Sequence, residues 1–359
     1  MIHYFIYLNG ENLIHSQEKI SFEKRKFTMK FQKVLMILST GIFAATAMAQ
    51  SKNYSGAELY TNETQMYGKY EARMMMATGS GLVSSMFLYH NDSYMGGAEP
   101  WVEVDIEILG KAPQKFQSNI ITGSAEKKVT SEKIHSLPTA ANAAYHTYGM
   151  EWTPDYVAWF IDGELVRKAK RDSSDSKGQV QALVRPQDLR FNLWSSEDAG
   201  WVGAWNDAIL PVHQFINWVK VYKYTPGAGE NGSDFTLSWT DNFDTFDASR
   251  WNCGEWTFDG NRVDLKQENA TVKDGYMVLS LTKAGNEGFY GTVPVDTESS
   301  NTENPPVVNP PIVNPPVVNP PVDTTTAIRK SAVRSHGNSH PEYLKTYDLI
   351  GRSKGKRKK

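Results

Sequence analysis

The chain has 359 residues, 40% of them hydrophobic and 12% aromatic, which is ample for a packed core and excludes a disordered chain. A net charge of −2 gives no electrostatic ground for nucleic acid or an acidic polymer as partner. One cysteine, Cys253, rules out an intramolecular disulfide, so an exported fold would have to hold through its core or a metal ion, and without a Cys/His pairing the thiol reads as structural.

The first informative segment is a secretory signal. Residues Met29-Lys-Phe-Gln-Lys33 form a basic start, Val34 to Ala45 an apolar run, and Ala47-Met-Ala49 an A-x-A cleavage site before Gln50. The apolar run is short for a membrane span, so no span is expected; residues 1–28 read as an upstream extension from a misplaced start codon. The signal spans 29–49 and implies a secreted protein.

Between Ser51 and Thr282 the pattern is one of short alternating runs bounded by Gly, Asn, Asp and Pro. Examples are Gly68 to Met76, Val83 to Tyr89 and Phe215 to Tyr224. With no long segment of helical period, this predicts an all-β sandwich or barrel. Ten Trp and seventeen Tyr are more than a core usually needs, so some are candidates for stacking on sugar rings, although any single one is more often core.

Within this region Trp101-Val-Glu103-Val-Asp105-Ile-Glu107-Ile-Leu109-Gly carries acids at i, i+2 and i+4 alternating with Val and Ile. On a strand the three carboxyls share one face while the apolar residues enter the core. Like charges so placed repel, so a purely structural strand gains nothing from them; the alternatives are a solvated acidic face or a divalent-metal cluster. Glycoside hydrolysis needs two carboxyls flanking the scissile bond, about 5–5.5 Å apart for retention. Residues four apart on a strand have Cα atoms about 13 Å apart, so the two Glu side chains would have to lean together. Asp105 could then hydrogen-bond Glu103, and the neighbouring charge would keep Glu107 protonated. Farther on, Arg190-Phe-Asn192-Leu-Trp194 puts polar and aromatic side chains on one strand face, as a sugar-binding groove requires.

Thr225 to Gly232, with three Gly and one Pro, predicts a flexible joint before strands resume at Phe235. From 294 to 326 the composition changes: Asn-Pro-Pro recurs at Asn304, Asn309, Asn314 and Asn319, predicting a stiff polyproline II spacer. The tail 327–359 has ten Lys/Arg against two Asp/Glu, about +8, which leaves about −10 on the rest. It reads either as a solvated segment or as a handle for a cell-surface or sorting partner.

The stretch Glu103-Val-Asp-Ile-Glu107 resembles the signature of family 16 glycoside hydrolases, and without an extra residue before the last Glu it is similar to the lichenase form rather than the bulged laminarinase form. The resemblance runs from Tyr54 to about Gly291. It implies a jelly-roll β-sandwich with a concave cleft, here over residues 51–293. It also implies a circular permutation: segments resembling Phe235 to Gly291 precede Tyr54-Ser-Gly-Ala-Glu58 in ordinary lichenases and follow it here, with the joint near 225–232. The activity implied is endo-hydrolysis of β-1,4 linkages in mixed-linkage β-1,3-1,4-glucan, with Glu103 as nucleophile, Asp105 as its assistant and Glu107 as acid/base. Matching cleft positions are Glu58, Phe87, Tyr89, Asn91, Trp101, Leu109, Gln117, Arg190, Asn192, Trp194, Trp201, Trp256, Phe258 and Asn261, Trp101 serving as a sugar platform.

No cofactor is expected for catalysis. A structural calcium is implied, with Asn217, Asn242 and Gly275 at positions resembling its protein ligands, two of them mainly through backbone oxygens; hard oxygens suit calcium, and no Cys/His cluster favours zinc. The expected partner is a β-glucan polysaccharide and the expected state a monomer. The rivals are a β-1,3-glucanase, a non-catalytic glucan-binding jelly roll, and a surface adhesin built around the stalk and tail.

Overall fold

The computed structural model describes residues 51–172 and 177–297; the predicted signal, most of the Pro-rich spacer and the basic tail lie outside the described residues. The described chain is an all-β jelly-roll sandwich of mainly antiparallel strands, and none of its helices is long and apolar enough to cross a membrane.

Eight strands make the first sheet. In chain order they are β1 (Tyr54–Thr61), β3 (Leu82–Tyr89), β4 (Glu103–Leu109), β5 (Lys115–Gly123), β6 (Lys128–Thr130), β7 (Lys133–Ser136), β11 (Asp188–Ser195) and β14 (Trp251–Cys253). Their spatial order is β14-β1-β11-β3-β4-β5, with β6 and β7 both on β5. The second sheet contains β2 (Gly68–Met75), β8 (His146–Trp152), β9 (Tyr156–Ile161), β10 (Glu164–Lys170), β12 (Val212–Tyr224), β13 (Phe235–Asp241), β16 (Ala270–Lys273) and β17 (Tyr276–Lys283). Its order is β16-β17-β12-β2-β8-β9-β10, with β13 on the same edge of β12 as β17. The short β15 (Val263–Leu265) lies parallel to β1.

The period-two pattern sets the core. Val104, Ile106 and Ile108 of β4, Met86 and Leu88 of β3, and Leu189, Phe191 and Leu193 of β11 turn inward against Ala72, Met74, Tyr148, Met150 and Trp159 of the second sheet. Polar bonds pin the layers: Trp159 Nε1 donates to the Asp105 carbonyl at 2.9 Å, and buried Arg167 of β10 donates to the Ser118 carbonyl at 3.0 Å. Inward placement of alternate residues forces the others of β1, β3, β4 and β11 onto the opposite, outer face of the first sheet, where the site is built.

Residues 225–232 close a hairpin loop between β12 and β13, with Thr225 N–H donating to the Asp234 carbonyl at 2.7 Å and Gly229 N–H to the Ser233 carbonyl at 2.8 Å. The first residues of the predicted spacer are held by the second sheet. Asp296 is buried, paired through Arg73 Nε (2.8 Å) and Nη2 (3.0 Å), and the Tyr145 hydroxyl donates to the Pro294 carbonyl at 2.8 Å. The sequence change at Pro294 marks where Pro enrichment starts, yet packing against the second sheet continues at least to Asp296.

Candidate active site

Strand register assembles the outer face in rows. One row runs Glu58, Asn192, Ser85, Glu107, Gln117 across β1, β11, β3, β4 and β5; the next runs Tyr60, Arg190, Phe87, Asp105, Asn119; the third runs Asp188, Tyr89, Glu103, Ile121. Adjacent members of a row are one strand spacing apart, about 4.8 Å, close enough for direct side-chain contact. The pairing of β4 with both neighbours is unbroken from Glu103 to Glu107, so the strand carries no bulge and all three acids stay on this face.

Each acid has a distinct environment. Glu103 accepts a bond from the Trp101 indole N–H at 2.5 Å, and burial raises its pKa against the opposing pull of Lys128 and of the bonds from Trp101 and Asp105. Asp105 is 3% exposed, and its Oδ2 meets no donor, a state a buried carboxylate does not sustain. Burial and then the charges of Glu103 and Glu107 push its pKa well up, so it stays protonated and bonds Glu103. Glu107 accepts from Gln117 Nε2 at 3.0 Å and is pushed up to about 8, by burial first and by Glu103 second. The arrangement therefore favours a neutral acid at Glu107 and a protonated Asp105, while Trp101, Asp105 and Lys128 pull Glu103 toward its carboxylate against the effect of burial.

Beside the acids, Arg190 anchors the groove wall. It donates to Asp188 at 2.5 and 2.9 Å, to Glu58 at 2.9 Å and to Asn91 at 3.0 Å. Its guanidinium lies 4.8 Å from the Tyr89 ring and 5.1 Å from the Tyr60 ring. Asn192 Nδ2 donates to Glu58 at 3.2 Å, and the Ser85 hydroxyl donates to Asn192 Oδ1 at 2.5 Å. Aromatic rings continue the wall: Trp194 packs 5.8 Å from Trp201 and 5.1 Å from Phe258, and Trp256 packs 5.5 Å from Tyr60.

The predicted cleft residues thus divide. Phe87, Tyr89, Asn91, Gln117, Arg190, Asn192 and Glu58 surround the acids, while Trp194, Trp201, Phe258 and Trp256 extend the wall. Leu109 pairs with Val83 at the end of the strand and is buried. Asn261 is fully buried, its Oδ1 accepting from Val263 N–H at 3.0 Å, so it supports the wall from beneath. Trp101 is not an open sugar platform: it is 6% exposed, the Lys128 ammonium sits 3.3 Å from its ring centroid, and Tyr89 packs at 5.6 Å. Sequence reasoning missed Asp188, Ser85, Tyr60 and Lys128. The alternation Asp188-Leu-Arg190-Phe-Asn192 carries a signal for Asp188, whereas Lys128 reaches the site only through tertiary structure. Cys253 is buried, and burial pushes its thiol up to about 11, which fits the structural reading of this residue.

The residues implied for calcium fit a hard-oxygen site. On one edge of β12, β17 pairs as far as Ile216 and β13 begins at Val219; Gly275 and Asn242 flank that gap, opposite Asn217 and Trp218. The Asn217 side-chain amide N–H is engaged by Asp296 at 3.0 Å, which leaves side-chain amide oxygens and backbone oxygens as the donors the three positions could offer.

A jelly roll whose outer sheet sets three carboxyls among aromatic rings has the build of a carbohydrate-active protein. Residues 9–220 match the model for glycosyl hydrolases family 16, and the chain belongs to that family. It is 59% identical over 266 residues to a beta-glucanase of Fibrobacter succinogenes, covering 74% of each chain. It is 34% identical over 181 residues to a beta-glucanase of Bacillus subtilis, covering 50% of this chain and 68% of that one. Among solved structures it is similar to a Bacillus licheniformis beta-glucanase, with 34% identity, a TM-score of 0.39, and coverage of 45% of this chain and 69% of that one.

Proposed function

We propose that the chain is a β-glucanase that cleaves β-1,4 linkages within mixed-linkage β-1,3-1,4-glucan and retains anomeric configuration. The observation that carries this reading is the placement of Glu103, Asp105 and Glu107 together on one unbulged strand at the floor of an aromatic groove, with Glu107 pushed up to about 8. Glu107 protonates the glycosidic oxygen while ionised Glu103 attacks the anomeric carbon; Asp105 holds Glu103 by a hydrogen bond. Glu107, now a carboxylate, takes a proton from the water that frees the glycosyl-enzyme. Support for the substrate comes from the beta-glucanase names of the relatives and from the unbulged strand, the lichenase form in the family resemblance.

The test is chemical. Glu103→Gln abolishes turnover and keeps oligosaccharide binding; azide rescues Glu103→Ala and Glu107→Ala with opposite anomers of the glycosyl azide. Normal activity in Glu103→Gln overturns the assignment. Release of reducing sugar from lichenan but not laminarin or curdlan separates this reading from a β-1,3-glucanase, and binding without hydrolysis separates a non-catalytic jelly roll.

Three further parts belong to the same reading. Permutation is supported by the family match ending at residue 220 while β13 to β17 lie beyond it and complete both sheets. Secretion rests on the signal pattern at 29–49. Calcium, held by Asn217, Asn242 and Gly275, would tie β12, β13 and β17 together and supply stability rather than chemistry. Added calcium then raises Tm and a chelator reverses the shift; a Tm insensitive to both rejects the site.

A further inference from the structure

Glu103 is held by more than its own strand. The β5–β6 hairpin turns back at Gly123, where φ is +98°, and closes with paired Ser124 and Lys127 backbone bonds at 3.1 Å. Trp101 N–H donates to the Gly123 carbonyl at 2.9 Å, and Gly123 is the register partner of Lys128. This fold-back seats the Lys128 ammonium on the face of Trp101, 3.3 Å from the ring centroid, while the same indole donates its N–H to Glu103 Oε2 at 2.5 Å.

We propose that Lys128 is a positioning residue for the nucleophile: through Trp101 and through its own charge it holds Glu103 as a carboxylate and so sets the acid limit of turnover. The inference rests on Glu103 being the nucleophile. A cation on an indole face is attracted by the ring quadrupole, and by drawing electron density from the ring it makes the N–H a stronger donor to the carboxylate. The ammonium also fixes Trp101, because the ring cannot tilt without breaking that contact.

The titratable and charged groups around Glu103 are few. Asp105 and Glu107 share its strand, Tyr89 faces it from β3, Arg190 acts from β11 and Lys128 from β6; Ile121, its partner on β5, is apolar. Arg190 divides its charge between Glu58 and Asp188. Among the influences that favour ionised Glu103, Lys128 comes ahead of the Trp101 and Asp105 hydrogen bonds and of Arg190, whereas it does not figure among those acting on Glu107. The two limbs of a pH profile should therefore respond differently.

The experiment is kcat/KM on mixed-linkage glucan against pH for the full chain and for Lys128→Met, Lys128→Gln and Lys128→Arg. Loss of the cation raises the Glu103 pKa, so in the Met and Gln variants the acid limb moves to higher pH by about half a unit to one unit, with the alkaline limb in place. Lys128→Arg keeps the wild-type limb. Superimposable profiles in the Met and Gln variants, or a uniform fall at every pH, overturn the proposal, the latter marking a merely structural lysine. Should one neutral variant fail to fold, the other carries the test. Full activity in Glu103→Gln instead removes the nucleophile assignment, and the lysine's role with it.

Discussion

At the scale of single residues, the proposed mechanism needs two carboxyls of one type to act in opposite states. Alternation places Glu103 and Glu107 on one face, but burial and the order of their hydrogen-bond partners separate them: Glu107 meets Gln117 alone, while Glu103 receives the Trp101 N–H and the Asp105 proton. With the acid pushed up to about 8, kcat/KM on β-glucan falls as pH rises through about 8, and a pH profile reads this limb directly. The same shift has a stability consequence of definite sign. The folded pKa of Glu107 lies above its ordinary 4.5, so the native state favours the proton more than the unfolded chain does. That contribution is fully present below pH 4.5 and is lost as pH rises through about 8. Glu107→Gln, which the proposed mechanism makes inactive in the acid step, is therefore expected to have a higher Tm than the wild type at pH 9 by thermal unfolding.

Between elements, the groove wall is a buried charge network spanning β1 and β11, in which Arg190 pairs with both Glu58 and Asp188. All three side chains are about 5% exposed, so removing the arginine leaves two carboxyls in a medium that solvates them poorly. Arg190→Met is expected to lower unfolding free energy by about 3–5 kcal/mol in urea titration and to weaken glucan binding. Replacing Glu58 and Asp188 by Gln and Asn in that background should recover part of the stability, because the uncompensated charge is then gone. A loss confined to KM with unchanged stability would show that the network serves substrate alone.

For the whole molecule, the last described residues act as a strap on the outer face of the second sheet. Phe289 and Val293 pack with Tyr145, Phe215 and Val278, and Asp296 ends the strap on Arg73, Asn217 and the Tyr276 hydroxyl. Arg73 also lies 3.7 Å from Asp162. A chain truncated after Pro294 loses Asp296 and should be about 2–4 kcal/mol less stable than one ending at Thr297, while keeping hydrolysis at low temperature. Equal Tm in both truncations would show that the Asp296 pairing contributes nothing measurable. Survival of hydrolysis in either also counts against an adhesin whose function resides in the stalk and tail.

What the amino-acid order determined alone was whatever follows from local period and residue type: an all-β sandwich or barrel, the acid strand with its apolar reverse face, and the polar-aromatic strand from Arg190 to Trp194. These were legible because a strand's period of two is a local property that burial of one face makes obligatory. Tertiary structure decided the rest. The hairpin fold-back that covers Trp101 with Lys128, the row that joins Ser85 to Asn192, and the burial of Asp296 against Arg73 all join residues from different strands or distant parts of the chain. Such pairings depend on strand register and on how far each carboxyl is desolvated, and neither quantity is carried by a segment of sequence read on its own.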